Sequence, residues 1–163
     1  MHDPIIIIGA TGAIGSALAR RLAAAGQALH LIARDEAGLA PLASSLGASH
    51  QAADVRDDAA LQTSVTAAGS RIAGLAYCVG SIVMKPLKRA SVADFAEAYA
   101  LNVIGAARAV AAAEAGLRAA EGSVVLFSSA QNRFVSDMAT MIKGQPLPAI
   151  LLIVVDRQMQ RAR

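Results

Sequence analysis

The sequence predicts an α/β domain built on a parallel sheet with helices on both faces. Three observations carry that prediction. Ile5 to Ile8 are four branched aliphatics in a row, a run that reads as a strand buried on both faces. Three glycines at a spacing of three, Gly9, Gly12 and Gly15, follow at once, and Ser16 to Leu22 is an amphipathic helix. From there to Ser128, short apolar runs alternate strictly with helical stretches, which implies right-handed crossovers between parallel strands.

The first unit is the most specific. Strand, glycine turn and helix form the arrangement that holds a dinucleotide pyrophosphate. Glycines let the backbone approach the phosphates, and the helix N-terminus directs N–H groups and a partial positive charge at them. Gly26 reads as the helix C-cap. Leu29 to Ala33 is a second strand, Glu36 to Leu46 a helix ended by Gly47, and His50 to Ala53 a third strand closed by Asp54-Val55. A helix starts at Asp57 and runs to about Ala68, with Gly69 as its stop. Ile72 to Val79 is the fourth strand, and Gly80 to Arg89 a loop containing Pro86. Ser91 N-caps a long helix with Asp94 at the capping-box position. This helix reaches about Ala120, with a bend expected near Gly105 or Gly116. Ser123 to Ser128 is the fifth strand. The expected architecture is a Rossmann-like doubly wound parallel sheet, with its ligand at the carboxyl ends of the strands.

Composition bounds the function. At 163 residues the chain makes one domain at most, and 55% of it is hydrophobic while only 3% is aromatic. The apolar run from Ala149 to Val155 is too short to span a bilayer, and no basic segment precedes an apolar one at the N-terminus. Cys78, the single cysteine, gives no disulfide framework and fits a reducing compartment. A soluble cytoplasmic protein is expected, with no membrane partner. Residues 1–129 carry ten Lys/Arg and ten Asp/Glu, whereas residues 130–163 carry five and two, so the net charge of +3 lies wholly in the tail. A nucleic-acid protein places its basic residues as a patch on the folded body, so nucleic acid is not an expected partner. His2, His30 and His50 show no metal-ligand spacing.

Beyond Ser129 the character of the chain changes. Residues 1–129 hold 35 alanines and residues 130–163 hold four, while Met138, Met141 and Met159 fall in the second segment. The chain therefore divides into a dinucleotide-binding domain, 1–129, and an atypical tail, 130–163. A weak helix is expected from Ser136 to Lys143 and a sixth strand from Ile150 to Val155.

Several ordered landmarks resemble the short-chain dehydrogenase/reductase family over residues 5 to 129. Gly9-Ala10-Thr11-Gly12-Ala13-Ile14-Gly15 is similar to the family's glycine motif, with Ala13 where glycine is usual. Asp54-Val55 after the third strand corresponds to the adenine-contacting Asp and its neighbour. Tyr77-Cys78-Val79-Gly80 stands where the family has Asn-Asn-Ala-Gly, and only the glycine matches. Asn102-Val103-Ile104-Gly105 matches Asn-Val-x-Gly on the long helix, and Ser128-Ser129 falls at the catalytic serine, Ser129 in the better register.

The resemblance implies a nicotinamide dinucleotide as cofactor and hydride transfer to or from a carbonyl or alcohol. Gly9, Thr11, Gly12, Ala13, Ile14 and Gly15 would hold the pyrophosphate and ribose; Asp54 and Val55 the adenine; Val79, Gly80 and Asn102 the remaining wall. Arg34 follows the second strand, and the position before it, acidic in NAD-binding relatives, is Ala33. An Arg here pairs with a 2′-phosphate in bidentate fashion, which favours NADP(H) over NAD(H).

In the family, Ser binds the substrate oxygen, Asn anchors a proton-relay water, and Tyr is the general acid or base. Lys lowers the Tyr pKa toward working pH from its free value of about 10. Here Ser129 and Asn102 are half of that tetrad. Counted from Ser129, the tyrosine and lysine positions are Ile142 and Pro146, and no tyrosine follows Tyr99. Proline at the second position also breaks the helix that would carry the pair. Lys143 is a possible displaced remnant. The expected protein is thus an impaired oxidoreductase, its fold incomplete at the C-terminal side. Its tail is either the product of a shifted or prematurely ended reading frame or a genuine substitute crossover and edge strand. The alternatives to an enzyme are a catalytically inactive NADP(H)-binding or sensor protein and a non-enzymatic partner subunit. Homo-oligomerisation, if it occurs, would use the helix at 91–120. Cys78 is read as a buried structural thiol, Tyr99 as a packing residue, and the cluster Lys85, Lys88 and Arg89 as a solvated loop.

Overall fold

The computed structural model describes residues 2–128 and 149–154. Six strands, β1 (Ile5–Ile8), β2 (Leu29–Ala33), β3 (Ser49–Ala52), β4 (Gly74–Tyr77), β5 (Ser123–Ser128) and β6 (Ala149–Val154), form one sheet in the order β3-β2-β1-β4-β5-β6. Every adjacent pair is parallel. The crossovers carry α1 (Ala13–Ala24), α2 (Glu36–Leu46), α3 (Asp58–Thr66), α4 (Val92–Tyr99) and α5 (Gly105–Ala120). A Rossmann-like doubly wound sheet is what the sequence predicts.

The pleat of β1 divides the core into two layers. Ile6 and Ile8 face the layer that holds Leu61 and Val65 of α3 and Ala109, Ala113 and Leu117 of α5. Ile7 faces the other, with Ala19 of α1 and Leu39, Leu42 and Ala43 of α2. Successive side chains of a strand point to opposite faces, so an unbroken isoleucine run is needed where both faces are covered. Burial of β1 to β4 is nearly complete except at β3, the edge strand, which carries Ser49, His50 and Gln51.

Local signals set the helix ends. Asp35 and Asp57 cap α2 and α3, accepting from the Ala37 and Ala60 amides at 3.1 and 3.0 Å. Ser91 and Asp94 form the expected capping box at the start of α4. Two strand boundaries differ from the sequence reading. β3 lies one residue earlier, and β4 is confined to Gly74–Tyr77 because the amides of Ile72 and Ala73 bond to Gly116 and Pro4 instead of a sheet neighbour. The third helix is also shorter than expected, ending at Thr66 before the turn at Gly69.

The long helix expected over 91–120 is not continuous. A π-helical turn, Ala100–Ile104, separates α4 from α5, and it ends where Gly105 begins α5. The irregularity therefore falls at the first of the two glycines at which a bend is expected, and it is a π-turn with one extra residue. α4 buries none of its residues, whereas α5 buries a stripe of small ones including Gly105, Ala106, Ala109, Ala113 and Gly116. By length and apolarity alone, 92–120 suffices to cross a bilayer, with a mean hydropathy of 1.3. Alanine supplies that value, and the buried stripe packs on α3 and the sheet as a core helix does.

The expected sixth strand is present one residue earlier than read, and β6 pairs with β5 from Ser123↔Ala149 to Ser128↔Val154. β5 is therefore an interior strand, not an exposed apolar edge. The helix read at 136–143 lies outside the described residues.

Candidate functional site

A cleft of about 220 Å³ opens at the carboxyl ends of β1, β2 and β4. This is the point where the sheet order reverses direction between β1 and β4, the place where doubly wound sheets bind ligands. Seven residues singled out from sequence line it: Gly9, Thr11, Gly12, Arg34, Val55, Val79 and Gly80.

The glycine turn forms its floor. Gly9 has φ +83°, a conformation that L side chains rarely adopt, and its amide donates to the Ile32 carbonyl at 2.8 Å. Gly12 closes the turn by donating to the Gly9 carbonyl at 3.1 Å, and it is the N-cap of α1. No side chain caps this helix, and its first turn carries no acid. The amides of Ala13, Ile14 and Gly15 therefore lack helical partners at the positive end of the dipole. Gly15 is needed for a different reason: a Cβ there would overlap the Gly9 carbonyl oxygen. Ile14 stands at the rim, 46% exposed.

Arg34 is exposed beyond the end of β2 and, among the described residues, makes no hydrogen bond or ion pair. The neighbouring Asp35 is turned to cap α2, and the acid whose charge Arg34 feels is Asp54. Asp54 departs from the sequence reading. Its carboxylate does not line the cleft but accepts from Arg56, from the amide at 2.9 Å and from Nη2 at 2.6 Å. Those Arg56 bonds hold its pKa down at about 2. An adenine amino group would have to share this carboxylate with a guanidinium. Val55 remains a cleft wall, packed behind on Gly105.

Asn102 sits in the π-turn with both ends of its amide in use. Its Oδ1 accepts from the Ser81 amide at 2.8 Å and its Nδ2 donates to the Ser81 carbonyl at 2.7 Å. The side chain thus clamps the segment that follows Gly80. Ser129 lies outside the described residues, as do positions 142, 143 and 146, so the expected catalytic serine and the displaced Lys143 are not placed. Cys78 lines the cleft, and burial pushes its thiol up to about 12, which fits an inert structural role. Lys85, read as part of a solvated cluster, is paired with Asp94 at 2.6 Å. Tyr99, read as a packing residue, is 45% exposed. Among the described residues no group of His, Cys, Asp or Glu could hold a metal.

Sequence reading missed Arg56, Ser81 and Tyr77. An Arg two positions after an Asp that closes a strand is a visible signal for the first; nothing local announces Ser81. Tyr77 reads only as a departure from a motif, yet its buried hydroxyl donates to the Leu101 carbonyl at 2.6 Å.

A family model described as short chain dehydrogenase matches residues 3–141. The chain belongs to the short-chain dehydrogenase family. No curated protein matches it. Solved structures share the fold. Serine dehydrogenase from Escherichia coli superposes with a TM-score of 0.83 at 21% identity, over 94% of this chain and 82% of that one. An alcohol dehydrogenase from the archaeon Thermococcus sibiricus, complexed with 5-hydroxy-NADP, gives 0.86 at 22%, over 96% and 77%. A short-chain dehydrogenase/reductase family oxidoreductase from Burkholderia thailandensis gives 0.84 at 21%, over 99% and 75%.

The residues of this short-chain dehydrogenase fit a nicotinamide dinucleotide in two respects. The glycine turn lies against the cleft with no side chain at Gly9 or Gly12, and an uncapped helix N-terminus shares that cleft with a guanidinium that no described residue pairs. Anions bind where these features converge.

Proposed function

We propose that this chain binds NADP(H) in preference to NAD(H) and is impaired in hydride transfer between that cofactor and a carbonyl or alcohol. The observation that carries the reading is the convergence on one cleft of the uncapped α1 terminus and of Arg34, which makes no hydrogen bond or ion pair among the described residues. The first-turn amides would hold the pyrophosphate, and Arg34 the 2′-phosphate. Val55 would flank the adenine, and Asn102, through Ser81, would hold the far wall. The nicotinamide, when bound, supplies or accepts the hydride. Ser129 would bind the substrate oxygen. No tyrosine follows Tyr99 to give that oxygen its proton, and loss of a positioned acid costs on the order of 10²–10⁴ in rate.

Calorimetric titration with NADPH and NADH tests the binding half. Micromolar affinity that favours NADPH supports it; a well-folded chain that binds neither overturns it. Incubation of NADPH with a panel of carbonyl substrates tests the second half, and turnover at rates ordinary for enzymes would refute the impairment.

The exposed face of α4 favours a second reading, a partner subunit. Val92, Phe95 and Tyr99 leave 86%, 49% and 45% of their surfaces uncovered, at helical spacing. Sedimentation that shows a stable assembly, together with no cofactor binding, would select this reading over the first.

A further inference from the structure

Tyr77 stands where the family resemblance calls for an asparagine, and it is 3% exposed. Its hydroxyl donates to the Leu101 carbonyl at 2.6 Å. Leu101 is inside the π-turn, one residue before Asn102. A π-turn shifts carbonyls out of their helical register, and a buried carbonyl left without a donor is costly. The same hydroxyl restricts the residue that ends the turn: a Cβ on Gly105 would overlap it and press on Val55 Cγ2 at 3.2 Å. One side chain on β4 thereby sets the carbonyl before Asn102 and the glycine that ends the turn.

We infer that Tyr77 is a positioning residue, which holds the π-turn so that Asn102 can clamp Ser81 and fix the Gly80–Ser81 wall of the cleft. The chain of contacts is continuous. Tyr77 Oη meets Leu101 O, Asn102 follows in the same turn, and both ends of its amide meet the Ser81 backbone. The benefit to cofactor affinity rests on the reading given under Proposed function. The effect on Ser81 does not.

The test is Tyr77→Phe, which keeps the ring and removes the donor. Amide hydrogen exchange reads the clamp directly, because the Ser81 N–H is the donor to Asn102 Oδ1. Exchange at Ser81 is expected to rise about fivefold or more in Tyr77→Phe and in Asn102→Ala, with the β1 amides as internal reference. Ile72→Val, a core change on the opposite end of the sheet, should accelerate Ser81 no more than it accelerates β1. Unchanged Ser81 exchange in Tyr77→Phe, or acceleration matched by β1, overturns the inference. NADPH affinity then gives a double-mutant cycle. Tyr77→Phe should weaken binding about fivefold in the native background and not further in Asn102→Ala. Additive losses overturn the positioning role. If the native chain binds neither NADPH nor NADH, the cofactor reading fails while Ser81 exchange still decides this one.

Discussion

Replacing Gly15 with alanine adds one methyl group where α1 comes closest to β1. Its Cβ would overlap the Gly9 carbonyl oxygen and stand 2.9 Å from the Gly9 carbonyl carbon and 3.0 Å from Ala10 Cα. All three are main-chain atoms, so no rotamer change relieves the contact and α1 must lift away from the sheet. Overpacking costs about 1–3 kcal/mol, and a contact with backbone belongs at the upper end. Alanine returns about 1 kcal/mol through its better helix propensity. The net loss is therefore about 2 kcal/mol, or about 4–8 °C in Tm for a chain of this size. The same displacement moves the first-turn amides, so NADPH affinity should fall more than tenfold. Gly116→Ala is the matched comparison, because the nearest atoms its Cβ meets are side-chain atoms only, Ile72 Cδ1 at 2.6 Å and Cγ1 at 2.8 Å, and no main-chain atom. Ile72 can turn aside, the propensity gain offsets the adjustment, and both Tm and NADPH affinity should stay near native. Circular dichroism melts and calorimetric titrations of the two variants decide the matter. Gly15→Ala with native Tm and native affinity, or equal losses in both variants, would refute the claim that close backbone approach at the turn requires glycine.

Arg34→Ala should weaken NADPH binding at least about tenfold while leaving NADH nearly unaffected, since a hydrogen bond to a charged group is worth about 1.5–3 kcal/mol; parallel titrations measure the ratio. His30 predicts a pH dependence. It is buried, with Nε2–H donating to the Ser64 carbonyl at 2.9 Å and Nδ1 accepting from the Ser49 hydroxyl at 2.8 Å, and burial lowers its pKa below 6.5. The unfolded chain takes up that proton first, so the stability it contributes is full above 6.5 and declines as pH falls from 6.5 toward the folded value. Urea melts should show this decline, and His30→Gln should flatten it.

The legible parts of the fold are those fixed by local chemistry. The isoleucine run, the glycine spacing, and the caps at Asp57, Ser91 and Gly47 each act within one turn of the chain, and the elements stand where these residues put them. Boundaries set by distant partners were not legible. β4 stops short because Pro4 and Gly116 take the amides of Ala73 and Ile72, and neither is near in sequence. The site divides in the same way. Gly9, Gly12 and Arg34 declare themselves by position after a strand. Asp54 was legible as a residue but not in its engagement, because an ionised carboxylate two residues from an arginine closes on it before any ligand arrives. Tyr77 was hidden most completely, since its role depends on a carbonyl 24 positions away that is freed only when the helix takes a π-turn.

The topology explains why cofactor binding and proton transfer can part company in such a chain. Everything proposed to hold the dinucleotide lies at the ends of β1, β2 and β4 or in the turn before α5, and these strands are adjacent at the centre of the sheet. Their packing is completed by α1, α2, α3 and α5, all within the first 120 residues. The general acid, in contrast, would be supplied from beyond β5 in the sequence. On the proposed reading, a chain without a tyrosine beyond Tyr99 still carries the residues of the two core layers and of the glycine turn. The residues proposed for binding and those the family uses for proton transfer therefore lie on different stretches of this sequence. Titration with NADPH therefore reads the first stretch, and turnover assays read the second.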